Sequence, residues 1–469
     1  MTVTSSKTFR KFLLASAVSA ILVFGAGPSR SEEQTAQKVM NLRDAVAVGL
    51  ATNPEYGVVA ASKRATDEEL NQGQALFLPS IDVNADAGYE YSDDVGTRAG
   101  PGDDTEELFR RQAGVTLTQM LFDGMEAHYE VKRQEARVNS SAHRVKETSE
   151  LIGLAIVESY LEVMRQRQLL LIARDNVADH VAIMDQIQDG VTAGRSTQAD
   201  LEQAKARLAS ARTVESSTRQ ALRNAESRYR QEVGDPPVDL EFPVIPFDQL
   251  SQDVEEEVVQ AMANSPTLSI FESDIEVAYA EAQGTKSTFY PQVDLQLNAR
   301  TGNDLGGVEA EDTSASALVV MNWNLYRGGA DVARSREFVH RHQQTKEERA
   351  EAARGVENDV RQTWAGMVSA GERATQFSAQ AEANAEVVKA YKDQFNLDRR
   401  TLLDVLDAQN ELFVSRSNTV NSEFLEMFAV YRLLALKGKL LPVIGVDYPR
   451  ESTLASGEQW SYKETMDAR

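Results

Sequence analysis

The chain has 469 residues and is strongly acidic, with 49 Lys and Arg residues against 72 Asp and Glu residues and a net charge of −23. This charge argues against nucleic acid as a partner, because phosphates attract basic surfaces. The sequence contains no cysteine, which excludes disulfides, thiolate metal ligands, cysteine nucleophiles and a lipidated N-terminal cysteine.

The N-terminus has the pattern of a secretory signal peptide. A basic stretch precedes an apolar run of 13 residues, and small residues follow at plausible cleavage positions: Lys7, Arg10 and Lys11, then Phe12 to Phe24, then Ser29 and Ser31. We predict a signal peptide over 1–31, with an uncleaved anchor as the alternative. No later apolar run approaches the roughly 20 residues of a transmembrane helix.

The chain divides into two similar halves, each with a long stretch free of proline. These stretches, 102–235 and 292–441, can hold long regular elements. Matching residues recur 212 positions apart early in each half and 204 apart later: Pro54 and Pro266, Pro79 and Pro291, Gly124 and Gly328, Asp200 and Asp404. This pattern predicts a duplicated domain. The predicted segments are a first repeat, a proline-rich connector, a second repeat and a final segment with a polar tail: 32–233, 234–253, 254–441 and 442–469.

Each half contains two predicted β-strands with one apolar face and one polar face in contact with water. Apolar residues alternate with mostly polar ones from Ile81 to Tyr91, and again from Val293 to Arg300. Weaker alternation follows in two return strands, so the predicted strands are 80–91, 113–122, 292–300 and 317–326. Strands of this length cross an outer-membrane bilayer when tilted. The alternative is a pair of amphipathic hairpins on a soluble core.

Four strands are too few to close a barrel, because the known minimum is about eight. If these strands span a membrane, several chains must therefore share one barrel. Closed cyclic symmetry of the assembly follows from that sharing.

The rest of each half is predicted to be helical. Two helices are expected in each repeat, over 124–188 and 196–233 in the first and over 330–396 and 401–439 in the second. In the last of these, apolar residues recur every seven positions from Leu406 to Leu434, as in a coiled coil. A helix of about 65 residues is roughly 100 Å long, too long for a compact core. An ordinary antiparallel coiled coil is the simplest alternative.

Five segments in this order resemble the TolC family of outer-membrane channels: Leu42 to Ala61, Ala75 to Asn84, Leu121 to Gly124, Gly194 to Ala211 and Thr401 to Leu412. The resemblance covers roughly residues 38–445. The stretch from Arg399 to Leu436 is most similar to the type I protein-secretion branch.

The resemblance implies a mainly α protein with a membrane β-barrel portion, located in the cell outer membrane and extending into the periplasm. Each protomer of a homotrimer would give four strands to a 12-stranded barrel in outer-membrane lipid. The long helices would form a coiled-coil α-barrel, and the connector and the final segment an equatorial belt. The linkers 92–112 and 301–316 would face outside the cell.

The resemblance also places a periplasmic entrance at the turns between the long helices. Asp404 and Asp407 lie three residues apart on one helix face, and by resemblance they match acidic rings that line this entrance. Three copies of these carboxylates would favour cations over anions. The alternative for each of these charges is an ordinary solvated helix end.

By the same resemblance, Arg400 matches a basic residue that locks the closed state, and Asp200 matches an acidic partner on the neighbouring turn. Two positions depart from the family pattern. Phe395 stands where some members have a tyrosine, so a hydroxyl bond is missing, and Asp398 replaces a turn glycine. We therefore take Asp200, Phe395 and Arg400 as candidates for the closed-state lock.

No catalytic, cofactor or metal site is predicted. The five histidines show no zinc-binding spacing, and no P-loop, nucleophile elbow or dinucleotide fingerprint occurs in the mature chain. We predict a non-enzymatic exit channel for type I protein secretion, which binds a periplasmic adaptor (membrane fusion protein) and an inner-membrane ABC transporter. The first alternative is small-molecule efflux with a proton-driven pump. The second is a periplasmic coiled-coil adaptor without a pore.

Overall fold

The computed structural model describes residues 39–99, 105–397 and 399–455 of the chain. The predicted signal peptide, residue Asp398 and most of the predicted polar tail lie outside this part. All elements below refer to the described residues.

Four antiparallel strands form a single sheet in the order β1-β2-β3-β4. They are β1 Ser80–Ser92, β2 Glu106–Phe122, β3 Gln292–Asn303 and β4 Glu311–Asn322. The pairing of β2 with β3 joins the two halves of the sequence, with Val115 opposite Ala299. Strands β1 and β4 lie at the two edges, so the sheet of one chain is open.

The strand register separates the two faces of the sheet. One transverse row is Val83, Val115, Ala299 and Ala315, and the adjacent row on the opposite face is Asn84, Gly114, Arg300 and Ser314. Large side chains on the apolar face are exposed, among them Val83 at 74% and Val319 at 67%. Exposed apolar surface of this extent marks a face that lies against lipid or another protein.

All four strands differ from their predicted bounds, β1 by one residue and β3 by three at its end, and β2 and β4 by more. Strand β2 begins seven residues before the predicted residue 113, where Arg110 forms ion pairs with Asp86 at 2.9 Å and with Glu90 at 3.5 Å on β1. Because the charges are compensated across the strands, the polar segment continues the ladder.

Strand β4 occupies Glu311–Asn322 and not 317–326. Its polar first half pairs with β3, with Thr313 Oγ1 3.0 Å from Thr301 Oγ1 and Arg300 Nε donating to Ser314. At its other end, the indole of Trp323 donates to the carbonyl of Phe289, and residues 323–326 leave the ladder. The predicted linkers 92–112 and 301–316 are correspondingly shorter. A short helix, α3 Val95–Ala99, lies in the first of them.

Two very long helices follow the sheet, α4 Glu126–Thr192 and α8 Ala330–Asn396, each of 67 residues. Each returns through a shorter helix, α5 Gln198–Val233 or α9 Leu402–Leu436. At 1.5 Å per residue, 67 residues span about 100 Å. The observed ends differ by up to four residues from the predicted helices, since turn glycines and capping residues set them. No helix among the described residues combines the length and apolar character needed to cross a membrane.

Shorter helices, which were not predicted from the sequence, precede each pair of strands: α1 Leu42–Thr52 and α2 Pro54–Ala75, then α6 Val254–Asn264 and α7 Pro266–Gly284. Pro54 and Pro266 each occupy the first residue of a helix, where a missing N–H costs nothing. Helix α10, Leu440–Ile444, follows α9. The repeat is therefore present in these helices as well as in the strands.

The main apolar core surrounds the middle of the long helices. Tyr160, Tyr229 and Tyr431 are fully buried there. The hydroxyl of Tyr160 donates to the carbonyl of Met40 at 2.9 Å, and the N–H of Met40 donates to the carbonyl of Asp239 at 2.8 Å. The connector and the start of the described chain are therefore anchored to the helices at mid-length.

A buried ion pair fixes the end of α9 in the same region. Lys437 Nζ lies 2.8 Å from a carboxylate oxygen of Glu257 on α6, and the two side chains are 1% and 0% exposed. Glu257 also accepts the N–H of Ser251 at 2.6 Å, and Lys437 donates to the carbonyl of Gln249 at 3.3 Å. Both charges have partners beyond each other, which such burial requires.

The buried carboxyl group of Glu150 lies at the start of α10. It is 2% exposed, and it accepts the N–H of Leu440 at 3.0 Å and contacts the hydroxyl of Tyr448. Burial raises the pKa of Glu150 to about 7, although hydrogen bonds from Tyr448 and the α10 amides oppose the shift. The hydroxyl of Tyr448 has one proton to donate, and its oxygen lies 2.6 Å from the carbonyl oxygen of Gly438. A protonated Glu150 satisfies both contacts of this hydroxyl.

We expect the stability of the protein to fall as the pH rises through about 7. The folded pKa of Glu150 is raised, so the folded state binds the proton more tightly than the unfolded state. The stabilising contribution is complete below the unfolded pKa of the carboxyl group and is lost as the pH rises through its folded value. The midpoint of thermal unfolding at pH 5.5 and pH 8 measures the effect. The variant Glu150→Gln should show a smaller difference, and an unchanged difference would contradict the assignment.

Candidate functional site: the turns between the long helices

Both turns at the far end of the long helices are closed by the same local motif. Thr197 precedes α5 and Thr401 precedes α9, and each forms a capping box with the aspartate three residues later, Asp200 or Asp404. In each box the threonine hydroxyl accepts the aspartate N–H, and the carboxylate accepts the threonine N–H. The T-x-x-D spacing therefore fixes where α5 and α9 begin.

An apolar cluster brings the two turns together in one chain. It contains buried residues of α4, α5 and α9: Ile183 and Ile187, Leu201 and Ala204, and Leu402, Val405 and Leu406. Tyr391 and Phe395 of α8 pack against it. Phe395, predicted as a lock residue, therefore contributes an apolar contact within its own chain.

Neutral hydrogen-bond donors stabilise the ionised carboxylate of Asp404. Its Oδ2 accepts the hydroxyl of Thr401 at 2.8 Å and the N–H of Thr401 at 3.2 Å, and Arg400 Nη1 lies 3.9 Å away. The hydroxyl and backbone bonds from Thr401, together with the charge of Arg400, lower the pKa of Asp404. The carboxylate stays ionised at neutral pH.

Arg400 lies over the ring of Tyr391, with its guanidinium carbon 4.0 Å from the ring centroid. Its Nε donates to Gln394 Oε1 at 3.0 Å. Tyr391 was not predicted as part of the site, because its position nine residues before Arg400 gave no short-range signal. Asp200 bonds to Thr197, and no hydrogen bond or ion pair joins it to Arg400 within the part of the chain described. A lock between these two residues stays a prediction.

Asp407 has a basic partner that sequence reasoning missed. Arg207 of α5 donates from Nη2 to Asp407 Oδ1 at 3.1 Å, with the side chains 42% and 54% exposed. In the sequence, only the positions of Arg207 and Asp407 relative to the two capping boxes could have indicated this ion pair. Helices α5 and α9 both begin at capping boxes and both pack against α4, so opposite charges within the first three turns of the two helices can lie within reach of each other.

A second polar link connects the two helix pairs further from the turns. Asp179 of α4 accepts Lys392 Nζ of α8 at 3.1 Å and Gln409 Nε2 of α9 at 2.5 Å. His180 beside it is 6% exposed, and its Nδ1 has no hydrogen-bond partner among the described residues. Burial lowers the pKa of His180, and Arg207 and Lys392 lower it further against the opposing effect of Asp179. His180 is therefore neutral at neutral pH.

Comparison with known proteins identifies relatives over both halves of the chain. The family model Outer membrane efflux protein matches residues 46–235 and 258–436. The outer membrane efflux protein BepC of Brucella suis biovar 1 (strain 1330) is 26% identical over 375 residues, which are 76% of this chain and 79% of BepC. The alkaline protease secretion protein AprF of Pseudomonas aeruginosa is 22% identical over 413 residues, 86% of this chain and 85% of AprF.

Among solved structures, a membrane protein from Pseudomonas aeruginosa matches with a TM-score of 0.77 at 16% identity. The match covers 88% of this chain and 92% of that protein. At this identity the likeness shows a shared fold. The duplicated arrangement of strands and long helices therefore occurs in that protein as well.

Proposed function

The chain belongs to the outer membrane efflux protein family, and we propose from this that three copies form the exit channel of a tripartite export system. As a member of this family, it is an outer-membrane protein that extends into the periplasm. One observation carries the proposal: an open four-stranded sheet with one apolar and one polar face continues into two 67-residue helices. Such a chain supplies one sector of a membrane barrel and one sector of a tunnel.

Three copies satisfy the requirements of the open sheet. Edge strands β1 and β4 have 13 and 12 residues, so β4 of one copy matches β1 of the next in length. Pairing them removes both edges and gives a closed barrel of 12 strands, above the minimum of about eight. The apolar face then contacts outer-membrane lipid and the polar face lines the channel.

Purified protein in detergent tests the assembly directly. We expect the mass of three chains and discrete ion conductance after insertion into a planar lipid bilayer. A monomer without conductance, recovered from the soluble periplasm and absent from the outer-membrane fraction, would support the alternative of a periplasmic adaptor without a pore.

Type I protein secretion is the cargo class that we propose, with a periplasmic adaptor and an inner-membrane ABC transporter as partners. The name of AprF assigns that relative to alkaline protease secretion. The sequence from Arg399 to Leu436 resembles the same branch, and the chain has no cysteine to carry the lipid that is common in many drug-efflux members of the family. The name of BepC, an efflux protein, favours the second candidate, small-molecule efflux with a proton-driven pump.

Two phenotypes of a strain without this gene separate the cargo classes. Loss of one or a few large proteins from the culture supernatant, restored by complementation, is expected for type I secretion. An unchanged supernatant with increased sensitivity to drugs and bile salts would instead support efflux. Complementation with a variant that assembles but does not conduct controls for indirect effects of the deletion.

Replacing Arg400 with alanine should favour the open state of the entrance. The substitution removes the contacts with Tyr391, Gln394 and Asp404, which are partly solvated. Such exposed contacts stabilise only weakly, so the open fraction should rise by only about two- to fivefold per protomer. Single-channel conductance of purified trimers measures the change. The neighbouring Arg399→Ala is the matched control, and equal effects of the two substitutions would contradict a specific role for Arg400.

A further inference from the structure

We infer that His180 is a proton-operated switch of the periplasmic entrance: protonation of its buried imidazole loosens the contact between α4 and its neighbouring helices and favours the open state in acid. Helix α4 ends at Thr192, so His180 lies about 18 Å before the turn that follows it. The inference rests on the proposed function, because only a channel has an entrance to open.

His180 belongs to the face of α4 that packs against other helices. Buried residues recur on this face at steps of three and four, as in a coiled coil: Leu170, Ala173, Asn176, His180, Ile183 and Ile187. Ile183 and Ile187 pack in the apolar cluster with residues of α5 and α9. Because His180 precedes Ile183 by one turn and is 6% exposed, its ring lies where α4 meets these helices.

The polar groups around His180 are incompletely paired among the described residues. Asn176 lies one turn before His180, and Gln409 of α9 donates to Asp179 beside it. The side-chain oxygens of Asn176 and Gln409 have no hydrogen-bond partner, and neither has Nδ1 of His180. Buried polar groups without partners destabilise the packed state. Water that enters when the helices separate can bind all three groups, so the wall is weakest at this layer.

The charged groups that face His180 come from three helices: Asp179 of α4, Arg207 of α5 and Lys392 of α8. All three have other partners, since Asp179 accepts Lys392 and Gln409, and Arg207 binds Asp407 of α9. Burial lowers the pKa of His180, and Arg207 and Lys392 lower it further against the opposing effect of Asp179. The packed layer therefore disfavours a proton on the ring.

Protonation of His180 favours the state in which water reaches the ring. The pKa of His180 is lowered in the packed state, so an open state binds the proton more tightly. The contribution of neutral His180 to the closed state is complete above the ordinary pKa of histidine and is lost as the pH falls through that range. Asp404 does not add to this response, because its lowered pKa keeps it ionised at these pH values.

The open fraction of purified trimers in planar lipid bilayers at pH 7.5 and pH 5.5 tests the switch. We expect a rise of about three- to tenfold in acid for the parent. His180→Gln, which stays polar but cannot be protonated, should abolish most of this rise, and His180→Arg should favour the open state at both pH values. Glu150, whose pKa is about 7, is present in every variant, so its effect cancels in the comparison.

His143 supplies the matched control on the same helix. Burial also lowers its pKa, but it lies 37 residues before His180, about 55 Å along α4. His143→Gln should therefore keep the response to acid. Equal responses of the parent and His180→Gln, or equal loss of the response in His143→Gln, would overturn the inference. Thermal unfolding of each variant shows which proteins are folded.

A distance measurement tests the switch without conductance. The chain has no cysteine, so Ala199→Cys on α5 and Leu403→Cys on α9 place spin labels only at these two exposed positions. In trimers with one labelled chain, the distance between the labels should lengthen at pH 5.5, but not in the His180→Gln background. An unchanged distance in acid would overturn the inference. Lengthening without conductance at either pH would overturn the proposed function, while the proton-driven separation of the helices stands.

Discussion

Replacing Lys437 with methionine is expected to lower the free energy of unfolding by about 3–5 kcal/mol. The substitution removes the cation but leaves the carboxylate of Glu257, which is 0% exposed, without its charged partner. An uncompensated buried charge is far more costly than the loss of a solvated ion pair. The midpoint of thermal unfolding of the purified protein, followed by the helical circular dichroism signal, measures the effect.

A second ion pair made by α6, which is exposed to solvent, supplies a matched control for Lys437→Met. Arg361 forms an ion pair with Glu255 of α6, two residues before Glu257, but those side chains are 40% and 63% exposed. Arg361→Met should therefore lower the thermal midpoint far less than Lys437→Met does. The double variant Lys437→Met, Glu257→Leu should regain much of the lost stability, because it removes both charges. Equal destabilisation by Lys437→Met and Arg361→Met would show that burial does not govern this pair.

Replacing Gly124 with alanine should destabilise the junction between β2 and α4 by about 2–5 kcal/mol. Gly124 has a φ of +73°, and a Cβ atom there would lie 2.7 Å from the carbonyl oxygen of Ser287 and 3.0 Å from Tyr290 Cβ. The left-handed conformation alone costs an alanine about 1–2 kcal/mol, and overpacking against a backbone adds about 1–3 kcal/mol. Yield of heat-resistant trimer and the thermal midpoint are the measurements.

The second repeat provides the comparison for Gly124. Gly328 occupies the equivalent position, with a φ of +65°, but a Cβ atom there would meet no atom of the described residues within 4 Å. Gly328→Ala should therefore cost only the conformational term of about 1–2 kcal/mol. If both alanine variants assemble equally well, the close packing around Gly124 has no energetic consequence.

The elements with strong local signals were predictable from the sequence. The proline-free stretches and the turn residues located the four long helices, because a helix depends on its own residues and ends at local breakers or caps. Alternation from Ile81 to Tyr91 assigned the two faces of β1, since side chains of a strand point alternately to its two sides. The duplication followed from the spacing of paired residues such as Pro54 and Pro266.

Local signals failed where the partner strand decides the structure. The segment from Glu311 to Ser316 has little apolar alternation, yet it forms the first half of β4, because its backbone completes the ladder with β3. Likewise, Glu106 and its neighbours extend β2 because Arg110 meets acidic residues of β1. The energy that holds these residues in strands comes from another segment.

By itself, the sequence determined the duplicated α-and-β architecture, the apolar and polar faces of its strands and the positions of Asp404 and Asp407 on one helix face. Only the tertiary structure decided which charges meet: Arg207 with Asp407, and Lys437 with Glu257. These partners are 200 and 180 residues apart in the chain. Periodicity and capping depend on residues only a few positions apart and can therefore be recognised in the sequence. An ion pair depends instead on the mutual position of helices, which only the packing of the whole core establishes.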